Sequence, residues 1–101
     1  DETEPAPPPP VITPDTEYTG SLLRAVRESQ GVEVSEISQR TKIGAGYLAA
    51  IEGDAYDRLP APVYVRGFLT EVAKFLRLDP AQVSRTYVRR YQRFLEEQGK
   101  A

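Results

Sequence analysis

The chain has 101 residues, 13 of them basic and 15 acidic, for a net charge of −2, and contains no cysteine, histidine or methionine. Such a length allows at most one domain with a modest core, and the missing Cys and His remove disulfides, the usual zinc ligands and the usual nucleophile–base pairs. No apolar run approaches the roughly 20 residues of a membrane span and no signal-peptide pattern opens the sequence; an Asp at position 1 and no Met anywhere predict a piece excised from a longer protein. A reducing, cytoplasmic setting is compatible with this composition.

Residues 1–17 hold six prolines, five acids (Asp1, Glu2, Glu4, Asp15, Glu17) and no basic residue. The run Pro7 to Pro10 favours an extended, solvated polyproline conformation, so 1–17 is predicted to be an acidic, Pro-rich disordered linker, with a Pro-rich ligand as the functional alternative. The remainder, 18–101, carries 13 basic and 10 acidic residues. Its charge is uneven: 18–61 has five basic against six acidic groups, whereas 62–93 has seven basic against only Glu71 and Asp79.

Caps and apolar periods predict five helices. The first spans about Gly20–Gln30, with Leu23 and Val26 inward and Gly31 as a left-handed stop. The second covers about 34–41, with Val34 and Ile37 on one side. Lys42-Ile43-Gly44 then turns the chain into a third helix that ends at Glu52, with Leu48 and Ile51 inward and Gly53 as its stop. Two short helices joined by a tight turn make a helix-turn-helix. Pro62 suits the first turn of a fourth helix, which continues to about Leu78. Asp79-Pro80-Ala81-Gln82 opens a fifth, with Asp79 as cap and Gln82 reaching back, that extends to about Glu97. The expected organisation is a linker at 1–17, an all-α domain at 18–97 and a short tail at 98–101.

On a helical wheel the fourth helix carries two apolar stripes. Val65, Leu69, Val72, Ala73 and Leu76 fall within about 100°, the width of a face turned to a core. Tyr64, Phe68 and Phe75 form a second ridge, which requires a second surface. Two readings are open. Helix five, with Val83, Tyr87, Tyr91 and Phe94 at helical spacing, covers the ridge, or Tyr64 and Phe68 stay partly exposed as a docking knob with Arg66 as a polar anchor. Gly67 between them either admits a partner backbone or packs against a neighbouring helix.

The helix that would read DNA, Gly44-Ala-Gly-Tyr-Leu-Ala-Ala-Ile-Glu52, has no Arg, Lys, Asn or Gln, the side chains that make most base-identifying hydrogen bonds in the major groove. A DNA-binding alternative places Gly44, Ala45 and Gly46 at base edges, with Ala49 and Ala50 on the outer side and Arg40 and Lys42 on phosphates. Arg85, Arg89 and Arg93, with Arg90 beside them, form a basic stripe on helix five that is either a solvated face or an auxiliary electrostatic contact. No catalytic constellation, cofactor motif or metal-ligand spacing stands out. Asp54 and Asp57 beside Glu52 read as a solvated turn, and Arg24 and Arg27 with Glu28 and Glu52 as surface pairs.

The run Leu59-Pro-Ala-Pro-Val-Tyr-Val-Arg-Gly-Phe-Leu69, followed by Ala73, Leu76 and Leu78-Asp79-Pro80, resembles the RodZ family of bacterial cell-shape proteins. Upstream, Leu23-Arg24, Arg27-Glu28, Gly31, Arg40 to Ile43, Tyr47-Leu48 and Ile51-Glu52 resemble its lambda-repressor-like first half. The resemblance covers about 19–91 and implies a five-helix, lambda-repressor-like helix-turn-helix fold used for protein contact. It also implies a cytoplasmic domain, in a membrane-anchored protein, that binds the actin-like filament protein MreB through fourth-helix aromatics, which fall on Tyr64 and Phe68.

Overall fold

The computed structural model describes residues 7–99, and among these the chain forms five α-helices and no strand. They are α1 Gly20–Ser29, α2 Val34–Thr41, α3 Ala45–Glu52, α4 Pro62–Phe75 and α5 Pro80–Glu97, with a 3-10 turn at Tyr56–Arg58 before α4. The six N-terminal residues expected to begin the linker, and positions 100 and 101 of the expected tail, lie outside the described residues.

Local chemistry sets the helix ends. The Thr19 hydroxyl accepts the Leu22 N–H at 3.2 Å, Glu33 and Glu36 form a reciprocal capping box at the start of α2, and Asp79 Oδ1 accepts the Ala81 N–H at 3.0 Å. Three helices stop the same way, with a left-handed residue that lets a later N–H reach back five residues. Gly31, Asp54 and Arg77 have φ of 70°, 51° and 62°, and the closing bonds are Val32 N to Arg27 O, Ala55 N to Ala50 O and Leu78 N to Ala73 O. Two expectations are corrected here. The left-handed stop of α3 is Asp54 rather than Gly53, and α4 ends at Phe75 rather than Leu78 because the chain turns at Arg77.

The predicted core stripe of α4 is the buried one, and α4 divides it between two clusters. Val65, Leu69 and Ala73 join Leu23, Ile51, Val83 and Tyr87, while Val72 and Leu76 meet Val26, Ile37, Ile43 and Leu48 from the helix-turn-helix half. Ala50, expected on the outer side of α3, is buried in the first cluster. α1 crosses the end of α3 with no room to spare. A Cβ on Gly20 would sit 2.5 Å from the Glu52 carbonyl oxygen and closer still to that of Ile51, and the Gly20 N–H donates to Asp54 Oδ1 at 2.9 Å.

Several polar contacts were not foreseen. Arg27 is not half of a surface pair: its guanidinium donates to Glu52 at 2.7 and 3.0 Å and to the Val32 carbonyl at 2.8 Å. The two side chains are only 10% and 11% exposed, whereas Arg24, which approaches the same carboxylate at 3.6 Å, is 60% exposed. Gln82 does not reach back to its own helix. Its Nε2 donates to the Thr13 and Thr16 carbonyls at 2.8 and 3.0 Å, and the Tyr18 N–H donates to Thr86 Oγ1 at 2.9 Å. With Tyr18 fully buried and Ile12 packed against both clusters, the end of the expected linker is fastened to α5. Finally, the Tyr87 hydroxyl donates to Ile51 O at 2.9 Å and that of Tyr91 to Pro60 O at 2.7 Å, so α5 grips the end of α3 and the approach to α4.

Candidate functional site

The exposed side of α4 is built by what its other side buries. With Val65, Leu69 and Val72 fixed in the core, helical geometry leaves Val63, Tyr64, Gly67 and Glu71 facing outward, and all four are exposed. Tyr64 keeps 62% and Val63 68% of its surface open to solvent. Phe68, one turn after Tyr64, is half-buried and packs against both core clusters. Its ring meets Tyr47 of α3 at a centroid distance of 5.3 Å, tilted by 32°. Tyr47 is itself 42% exposed.

Of the two readings of the ridge, cover by α5 is not the one adopted for Tyr64. The α5 aromatics turn instead to Tyr56, whose ring lies 6.0 Å from Tyr87, 5.7 Å from Tyr91 and 5.2 Å from Phe94. Phe75 is half-buried against the second cluster. Gly67 has no packing role: a Cβ there would meet nothing within 4 Å. Arg66 is exposed, but two positions on from Tyr64 it is rotated by about 200° around the helix, away from the rings. It therefore cannot anchor the same groove, and the face consists of Tyr64, Gly67, Phe68 and Tyr47. Tyr47 belongs to it because its ring meets that of Phe68, and its only sequence signal was an aromatic residue outside the Leu48–Ile51 stripe.

The duplex-reading candidates also come together. Arg40, Lys42, Ala45 and Gly46 are all exposed around the start of α3, with Lys42 left-handed at φ 67°. The cations can hold phosphates. Gly44, Ala45 and Gly46 offer no side-chain donor or acceptor to a base edge.

No group of three potential metal ligands occurs among the described residues. Asp54, read from sequence as part of a solvated turn, accepts the Gly20 N–H through Oδ1. The buried tyrosines are structural: burial, the largest cause in each case, pushes the hydroxyls of Tyr18, Tyr56, Tyr87 and Tyr91 up from their ordinary range, and nearby Asp79 or Asp54 adds to this for the first three. On α5, Arg85, Arg89 and Arg93 are exposed and Arg90 half-buried. No described helix is long and apolar enough to cross a membrane.

A family model described as a helix-turn-helix domain matches residues 22–83. The chain is also 38% identical over 68 residues to the cytoskeleton protein RodZ of Streptococcus pneumoniae (strain ATCC BAA-255 / R6), an alignment covering 67% of this chain and 25% of that protein. The chain thus spans about a quarter of the length of this relative. No solved structure matches it. The α2 capping box, the Asp79 cap, the tight turn at Lys42 to Gly44 and the α4 block all fall within the residues that the family model matches, and the chain belongs to the helix-turn-helix domain family, in its RodZ type.

Proposed function

We propose that this domain is a non-catalytic docking module that presents Tyr64, Gly67 and Phe68 of α4 to a cytoplasmic protein partner, an actin-like filament protein of the MreB kind. The observation that carries the reading is the exposed Tyr64 ring beside half-buried Phe68 and bare Gly67. Aromatic side chains in such a setting are the residues that dominate binding energy at protein interfaces. The name of the pneumococcal relative, a cytoskeleton protein, supplies the class of partner. The helix-turn-helix half then serves as a rigid base for α4, and the domain is the cytoplasmic part of a larger, membrane-anchored protein.

Tyr64→Ala is the clean test, because the side chain is mostly solvated and its hydroxyl makes no hydrogen bond within the described residues. The variant keeps its helical circular dichroism and its melting temperature, since exposed substitutions change stability by about 0.5 kcal/mol or less, and binds the filament protein more weakly by about 2 kcal/mol. Unchanged affinity would refute the reading. The DNA alternative has cations at Arg40 and Lys42 but no base-reading side chain at Ala45 or Gly46. Sequence-dependent duplex binding that is lost in Lys42→Ala would establish it instead.

A further inference from the structure

We infer that the docking face does not end on α4 but continues across Tyr47 into a hollow at the start of α3, and that this hollow receives an acidic side chain of the same protein partner. The inference rests on the docking reading above and adds the chemistry of the partner's contact. Three observations carry it. The Tyr47 ring lies against Phe68 at 5.3 Å yet is 42% exposed, so the α3 and α4 rings form one apolar strip whose α3 end remains uncovered. Beside Tyr47 lies an open hollow of about 340 Å³, lined by Gly44, Gly46, Tyr47 and Arg58. Its floor is bare backbone: a Cβ on Gly46 would meet nothing within 4 Å, and one on Gly44 only the Tyr47 ring, at 3.9 Å. The third observation is charge. Arg58 is exposed and takes part in no ion pair among the described residues.

A free guanidinium at the edge of an apolar strip selects a partner segment that offers a carboxylate next to an apolar or aromatic side chain. The planar guanidinium fork matches a carboxylate in two-pronged fashion, and the excluded water around the rings strengthens that pair. Small residues at positions 44 and 46 are thereby explained as well, since any larger side chain would fill the hollow. The bareness that prevents base recognition is what lets a partner side chain enter.

The test has two arms. In the first, the isotope-labelled domain is titrated with N-acetyl-Phe-Asp-amide, and with N-acetyl-Phe-Asn-amide as the uncharged control. Amide shifts at Gly44, Gly46 and Tyr47 are expected with the Asp probe only, and they vanish in Arg58→Ala. In the second arm, Arg58→Glu weakens binding to the filament protein by about tenfold or more, while Arg66→Glu, on the far side of α4, leaves it within about twofold, as rim charges do. If the filament protein binds and is lost with Tyr64→Ala, but Arg58→Glu binds as the parent does and neither peptide moves these amides, the extended surface is wrong and the α4 reading stands. If the filament protein does not bind at all, that partner is wrong, and the peptide arm alone decides this inference: charge-selective shifts uphold it and their absence overturns it.

Discussion

Replacing Gly67 by Ala separates folding from docking, because the two respond with opposite signs. Gly67 lies in the interior of α4, Pro62–Phe75, is not among the left-handed glycines, and leaves open space where a Cβ would go. Alanine there removes backbone freedom from the unfolded chain and adds no clash, which stabilises the helix by roughly 0.5–1 kcal/mol. At about 4–8 °C per kcal/mol for a domain of this size, the melting temperature rises by about 2–8 °C. A partner backbone seated between Tyr64 and Phe68, however, would collide with the new methyl, and affinity falls by about tenfold, or 1.4 kcal/mol. Thermal circular dichroism and binding to immobilised filament protein read the two effects on one sample. A variant that is more stable and binds as before would refute the close approach to α4, and a less stable one would refute the open space described at Gly67.

Further expectations concern the frame that holds the site. Gly20→Ala forces a Cβ into the Ile51 and Glu52 carbonyls and destabilises the domain by about 3 kcal/mol in denaturant titration; a change below about 0.5 kcal/mol would contradict the described crossing of α1 over α3. Arg27→Ala leaves the mostly buried Glu52 carboxylate without its main partner and costs about 3–5 kcal/mol, whereas Arg24→Ala, removing a largely exposed contact, costs about 0–1 kcal/mol. Alkaline pH unfolds the protein. The four buried hydroxyls have raised folded-state values, so above the ordinary tyrosine value of about 10 the unfolded chain gives up protons that the folded one retains, and stability falls with rising pH. Their contribution is fully present below that value and is lost as pH climbs through the folded values. Tyrosinate absorbance from these four should therefore appear together with loss of helical signal. Ionisation of all six tyrosines with the helices intact would contradict it.

Helix positions were legible because they depend on neighbours in sequence. Asp79 with Pro80, Gly31 and the Val65–Leu76 stripe each act within a turn or two, and each was found where the chain placed it. What escaped depends on partners far along the chain. Nothing local distinguishes Arg27, bonded to Glu52, from Arg24, or tells that Gln82 would hold the Thr13 and Thr16 carbonyls instead of its own helix end. Ala50 was misplaced because α3 is apolar or small nearly all round, which leaves no period to orient it. The site divides in the same way. The two apolar stripes of α4 left exposure of Tyr64 as one of two readings, but Tyr47 and Arg58 enter only through contacts that form in the folded chain, and Arg66 was grouped with the rings by nearness in sequence although the helix turns it away.

Hydrogen–deuterium exchange of the domain, alone and with polymerised actin-like filament protein, measures most directly whether recognition has moved from the reading helix to the rings. Protection concentrated on residues 63–71 of α4, extending to 44–47 and absent from α5, is the result expected. Protection by a DNA duplex confined to residues 40–50, with α4 unchanged by the filament protein, would contradict it.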